Sequence, residues 1–168
     1  KVGTVLRIFS PRANRLRSLV RALRVSQWVK NALLFVPLLL AHKVTGEAQA
    51  LLALLAFCSF SFCASSIYIV NDLLDLKSDR QHPKKKFRPF AAGTLPISTG
   101  MLLVPFLLGS SFLIAGLLLP PLFVAALGMY VAITTAYSFY LKRIAVLDIL
   151  VLAGCYTIRV VAGAVAVT

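Results

Sequence analysis

Three of the five acidic residues in this 168-residue chain, Asp72, Asp75 and Asp79, fall within eight positions, in the run Asn71-Asp-Leu-Leu-Asp-Leu-Lys-Ser-Asp79. At about 100° per residue a helix sets Asn71, Asp72, Asp75 and Asp79 on one arc of roughly 100°, with their oxygens converging on one side. Like charges so close repel, so the pattern demands a cation. Hard oxygen ligands of this kind suit Mg²⁺ bound jointly with a phosphorylated substrate. Asn71, Asp72, Asp75 and Asp79 are therefore the candidate metal ligands, and Asp72 and Asp75 the candidate catalytic pair. The plainer alternative is a solvated helix end whose acids pair with the lysines downstream.

Immediately after comes Arg80-Gln-His-Pro-Lys-Lys-Lys-Phe-Arg-Pro-Phe-Ala-Ala-Gly93, five basic residues among Gly and Pro turn formers. Beside a carboxylate cluster such a loop can close over a diphosphate, Arg offering forked contacts and Lys point charges. Arg80 and Arg88 are the candidate contacts, Arg88 being fixed ahead of a proline; two of Lys84, Lys85 and Lys86 read as ordinary topology charge. His82, before Pro83, has no partner at metal-ligand spacing and reads as a capping or solvated group.

Upstream lies Arg24-Val-Ser-Gln-Trp-Val-Lys-Asn31, which as an α-helix puts Arg24, Gln27 and Asn31 on one face with Lys30 at its margin. Polar residues on one side of a helix entering a membrane face a wet cavity or the bundle interior, so Gln27, Lys30 and Asn31 are candidate substrate contacts. Trp28 reads as an interfacial anchor. Downstream, the turn Tyr137-Ser-Phe-Tyr-Leu-Lys-Arg143 offers Tyr137 and Lys142, although Lys142 and Arg143 also serve as topology signals. Asp148 and Arg159 are eleven residues apart, three helical turns, and project from one face. A charge deep in a span is a functional clue, or else the structural partner of an acid elsewhere in the bundle.

The elements that must position these groups are membrane helices. Hydrophobic residues make up 60% of the chain, and the mean hydropathy of +0.89 lies well above that of soluble folds. The formal charge of +13 would ordinarily suggest nucleic acid, but a nucleic-acid binder of this size would not carry several stretches of bilayer length. Five apolar windows run roughly over 28–41, 48–70, 99–119, 122–140 and 145–167, the first of them short. Pro120-Pro121 predicts a tight hairpin between the third and fourth. Eight basic residues in 1–30, six in 77–88 and two at 142–143 account for sixteen of eighteen, and all three segments fall on one side of a five-helix arrangement. The positive-inside rule makes that side, and the acid cluster with it, cytoplasmic.

Residues 1–25 read as a basic interfacial segment, with Leu16, Leu19, Val20 and Leu23 on one side and arginines around the rest. Residues 26–168 form the transmembrane domain. Cys58, Cys63 and Cys155 fit no metal or redox spacing and read as packing residues. There is no signal-peptide pattern, internal repeat, phosphate-loop, GxGxxG or HExxH motif. The start at Lys1 and the stop at Thr168 inside an apolar run lead us to expect a longer parent chain.

NDLLDLKSD followed by HPKKKFRPFAAG resembles the aspartate-rich first motif of the UbiA superfamily of intramembrane prenyltransferases. RVSQWVKN, YIVNDLLDLKSDRQHP, the YSFYLKR turn and IRVVAGA are similar to the branch that makes decaprenylphosphoryl-5-phosphoribose, over about Leu23 to Ala166. The resemblance implies an all-α polytopic bundle, the first five of nine helices, with a central cavity open to the cytoplasm and sideways to lipid. A second acidic motif would lie on a later helix. It also implies Mg²⁺-dependent transfer of phosphoribose from phosphoribosyl pyrophosphate to a polyprenyl phosphate, for cell-wall polysaccharide precursors, in a bacterial plasma membrane. Asn71, Asp72, Asp75 and Asp79 match its metal and diphosphate motif, with Lys30, Arg88 and Lys142 on the phosphates. A UbiA-type prenyltransferase acting on an aromatic acceptor stands as the alternative within the fold, and a membrane transporter or assembly subunit as the alternative outside it. The assembly state, an oligomer included, stays open.

Overall fold

The computed structural model describes residues 14–40, 47–139 and 145–167; the side chains of Phe139 and of 145–148 are not among those described. The described residues are helical, without a strand. The chain begins with α1 (Arg15–Ala22), capped by the Asn14 side chain, which accepts from the Leu16 backbone N–H at 3.1 Å. A 3₁₀ helix (Val25–Phe35) then runs into the short α2 (Val36–Leu40). The long α3 (Glu47–Leu74) is followed by α4 (Leu76–Gln81) and a 3₁₀ turn at Lys85–Phe87. Finally come α5 (Ile97–Leu118), α6 (Pro121–Phe139) and α7 (Ala145–Ala166).

Four of these helices, α3, α5, α6 and α7, are long and apolar enough to cross a membrane. The expected first span differs from its reading as an α-helix. Residues Val25–Leu40 make a shorter apolar helix, most of it 3₁₀. A 3₁₀ helix rises about 2.0 Å per residue against 1.5 Å for an α-helix, so this stretched segment still reaches roughly 30 Å, the depth of the hydrocarbon core. The same winding undoes the expected face. At three residues per turn Gln27 and Lys30 eclipse one another while Asn31 turns into the bundle. Arg24, just before it, sits in the left-handed region at φ 50°, an uncommon place for a non-glycine residue.

Helix pairing follows from small and polar residues, as expected where lipid removes any hydrophobic drive between helices. Ser59 on α3 and Ser111 on α5 exchange bonds, each hydroxyl donating to the other's backbone carbonyl at 2.9 and 2.7 Å. On α7, Gly163 lets the backbone of the 3₁₀ segment approach so closely that an added Cβ would lie 2.2 Å from the Leu34 carbonyl oxygen. The main core gathers Leu34, Phe60, Phe123, Leu127 and Tyr130 between these helices. Leu102, Phe106, Leu117, Leu122 and Ile149 stay on the outside, the arrangement of a bundle solvated by lipid. The predicted hairpin is present, α5 ending at Leu118 and α6 starting at Pro121, where a missing N–H costs nothing.

A second core at one end joins α1, α3, α5 and the loop after α4 through Ala22, Ile69, Phe90, Leu95 and Leu107. The apolar side expected for the N-terminal helix therefore splits. Leu19 and Leu23 pack against this core, whereas Leu16 and Val20 are exposed.

Candidate functional site

The acid cluster sits where α3 ends. The helix breaks at Asp75, which caps α4, so the continuous arc expected from sequence is bent between Leu74 and Leu76. Backbone bonds from Asp75 N–H to the Asn71 carbonyl at 2.9 Å and from Asp79 N–H to the Asp75 carbonyl at 2.8 Å keep the two pieces in nearly helical succession. Asp72 and Asp79 end up 2% and 1% exposed.

Buried carboxylates need compensation, and here arginines provide it. Arg88 Nη1 donates to Asp79 Oδ2 at 2.7 Å and to Asp72 Oδ1 at 3.2 Å. Arg24 Nη2 donates to the same Asp72 oxygen, and its guanidinium lies 4.9 Å from the Tyr68 ring centroid. The left-handed turn at Arg24 delivers this side chain to Asp72. The lysines of the loop, by contrast, are exposed, and the ion pairs of Asp72 and Asp79 run to arginines.

Among the described residues no three acidic, histidine or cysteine side chains converge as a ready-made metal cage. Asp79 Oδ1 is buried with no hydrogen-bond partner among them. That open oxygen suits a hard cation that brings oxygens of its own. Mg²⁺ typically binds through one or two carboxylates plus substrate phosphates rather than in an all-protein cage.

Beside the cluster a cavity of about 130 Å³ lies between the 3₁₀ segment, α3, α6 and α7. Asn71 reaches into it from α3, Lys30 from the 3₁₀ segment, and Arg159 from α7. Four of the chain's five tyrosines, Tyr68, Tyr130, Tyr137 and Tyr156, complete much of the wall. Arg159 is 4% exposed and has no carboxylate partner among the described residues. Its Nε donates to Asn31 Oδ1 at 2.9 Å, Nη1 to the Cys155 carbonyl at 2.6 Å and Nη2 to the Tyr130 hydroxyl at 3.3 Å. Its guanidinium lies 5.1 and 5.4 Å from the ring centroids of Tyr130 and Phe60. Asn31 is held in turn, its Nδ2 donating to Ser61 Oγ at 2.9 Å. A buried cation set among neutral dipoles leaves its charge for an anion entering the cavity.

The structure thus brings Asp72, Asp79 and Arg88 into one network and Lys30, Asn71, Tyr137 and Arg159 around the adjoining cavity, with Asn31 behind Arg159. Arg80 is exposed, outside the ion-pair network, and Gln27 is not in the cavity wall. Lys142 and Arg143 lie outside the described residues, and the expected alignment of Asp148 with Arg159 cannot be read because the Asp148 side chain does too. Trp28, read from sequence as an interfacial anchor, packs against α3. Its indole Nε1 donates to Ser65 Oγ at 3.0 Å, and its ring sits edge-on to Phe57 and Phe62. His82 caps the following turn as expected, Nδ1 accepting from the Lys84 and Lys85 N–H groups at 3.1 and 3.2 Å.

Arg24 and three of the cavity tyrosines, Tyr68, Tyr130 and Tyr156, were missed as site residues, whereas Tyr137 was among those expected. Their signal was in the spacing: Tyr130, Thr134 and Tyr137 recur at helical intervals, and Tyr68 and Tyr156 each stand three residues before a polar cavity residue, Asn71 and Arg159.

The family model for UbiA prenyltransferases matches residues 32–168. The chain is 38% identical over 166 residues to uncharacterized protein y4nM of Sinorhizobium fredii, covering 98% of this chain and 32% of that protein. It is 40% identical over 163 residues to decaprenyl-phosphate phosphoribosyltransferase of Mycobacterium tuberculosis, covering 95% and 54%. Nodulation protein NoeC of Azorhizobium caulinodans is 41% identical over 147 residues, covering 86% and 47%. The chain spans about half or less of the length of these relatives.

Proposed function

The chain belongs to the UbiA prenyltransferase family, and from that membership we propose that it supplies the diphosphate-handling half of a membrane transferase. The reaction is transfer of phosphoribose from phosphoribosyl pyrophosphate to a polyprenyl phosphate, as the name of the 40% identical mycobacterial relative suggests. The setting is a bacterial plasma membrane with the site towards the cytoplasm, and the product serves cell-wall polysaccharide synthesis. The observation that carries this reading is the pairing of an acid cluster with an anion site. Arginines hold a buried acid pair at Asp72 and Asp79, and next to it lies a cavity whose cations, Lys30 and Arg159, face no described acid.

Asn71, Asp72, Asp75 and Asp79 would hold Mg²⁺ together with the sugar diphosphate. When bound, the metal would neutralise the charge that develops on the departing pyrophosphate. Arg24 and Arg88 are counter-ions to the acids, and their guanidinium groups would offer forked contacts to the diphosphate oxygens. Lys30 and Arg159 hold the lipid phosphate. One of its oxygens forms a bond to the anomeric carbon of the ribose as the bond from that carbon to pyrophosphate breaks, the pair of electrons leaving with pyrophosphate. Positioning and charge carry the rate, and no protein nucleophile is needed. The tyrosine-lined wall accommodates the first part of the lipid chain.

The test is a product assay on the whole protein in detergent with Mg²⁺, phosphoribosyl pyrophosphate and a polyprenyl phosphate, the lipid fraction being read by mass spectrometry. A lipid heavier by one phosphoribosyl group, absent after chelation, is expected. Its absence, with coupling of a polyprenyl diphosphate to an aromatic acid instead, would move the function to prenyl transfer.

A further inference from the structure

A second anion-binding feature lies outside the cavity and plays no part in the reaction above. Asn14, Arg17, Ser18 and Arg21 recur at intervals of three and four, so they share one side of α1. They face Phe87 and Thr94 of the loop after α4 across a groove of about 360 Å³. No acid lines this groove, and neither arginine has an ion-pair partner among the described residues. Farther round α1, outside the groove, Leu16 and Val20 are 68% and 45% exposed, and Phe87 on the wall opposite the arginines is 69% exposed. Forked cations beside bare apolar side chains at the end of a membrane bundle match a phosphate ester that carries a hydrocarbon chain.

We propose that the groove between α1 and this loop binds one anionic membrane phospholipid. Its headgroup phosphate sits on Arg17 and Arg21, and its acyl chain lies along Phe87 and Pro89 on the opposite wall. The groove also bridges the two segments that carry the counter-ions of the acid pair. Arg24 follows α1 after a single residue, and Arg88 adjoins Phe87. A lipid seated here ties α1 to the loop and so holds Arg24 and Arg88 in register with Asp72 and Asp79.

The experiment is native mass spectrometry of the whole protein in neutral detergent, titrated with dioctanoyl phosphatidylglycerol, dioctanoyl phosphatidylcholine or glycerol 3-phosphate. One phosphatidylglycerol should bind at least tenfold more tightly than either of the others. Arg17→Gln with Arg21→Gln should weaken it about tenfold, while Arg15→Gln, a charge change on α1 outside the groove, should alter it less than twofold. Equal binding of the neutral lipid, equal loss in Arg15→Gln, or equally tight binding of glycerol 3-phosphate overturns the proposal, the last by making this a free-phosphate site. Hydrogen exchange reads the coupling: phosphatidylglycerol should slow exchange in residues 84–95 of the unaltered protein, and unchanged exchange overturns that part. If the double variant does not fold, the ranking of the three ligands and the exchange measurement on the unaltered protein still decide.

Discussion

At the residue scale, one guanidinium serves two acids. Arg88 bonds both Asp72 and Asp79, while Lys84, four residues earlier, is exposed. Arg88→Ala should therefore lower kcat/KM by about a hundredfold, the scale for removing a positioned charge donor, and cost roughly 1–3 kcal/mol of stability, between exposed and buried pairs because the side chain is 28% exposed. Lys84→Ala should change kcat/KM less than about threefold. Steady-state kinetics with both variants checks the contrast, and equal losses would contradict it. Arg159 is a different case, since its partners are neutral. Arg159→Met keeps the length and removes a buried charge, so the melting temperature should move only a few degrees while KM for the polyprenyl phosphate rises about tenfold or more. A collapse of the melting temperature with KM unchanged would make Arg159 purely structural.

The element scale is governed by close approach. The backbone at Leu34 touches α7 where Gly163 stands, so Gly163→Ala forces a displacement that no rotamer relieves. We expect a loss of roughly 1–3 kcal/mol or more in thermal unfolding of the detergent-solubilised protein, against little change for Gly154→Ala, where the added methyl meets nothing within 4 Å. An equal response of the two would deny that the contact matters. The four long helices and the proline hairpin were legible in the sequence because hydropathy and proline act locally. The 3₁₀ winding of Val25–Phe35 was not. It answers to tertiary contacts: Asn31 turned toward Arg159, Trp28 bound to Ser65, and the backbone seated on Gly163. The spacing of the acids was legible in the sequence, yet their arginine partners were not, because the Asp72–Arg24 pair joins residues 48 positions apart through a left-handed turn that arginine does not favour on its own.

At the scale of the whole molecule, the distribution of basic residues predicts the orientation. The loop holding Lys84, Lys85 and Lys86 joins one end of the bundle, whereas the Leu118–Pro121 hairpin carries no charge. In a background with Cys58, Cys63 and Cys155 replaced, a membrane-impermeant maleimide should label Leu118→Cys in intact spheroplasts and Lys85→Cys only after permeabilisation. The reverse pattern would invert the topology and place the acid pair outside.

These 168 residues hold a single tryptophan, and the indole N–H of Trp28 is bound to the Ser65 hydroxyl, which itself donates to the Leu23 carbonyl at 2.7 Å. Leu23 is the residue before Arg24. The ultraviolet emission of this segment is thus wired through two hydrogen bonds to the turn that presents the Arg24 guanidinium, and its wavelength and lifetime form an intrinsic optical gauge of whether that turn is at rest or has let go of Asp72.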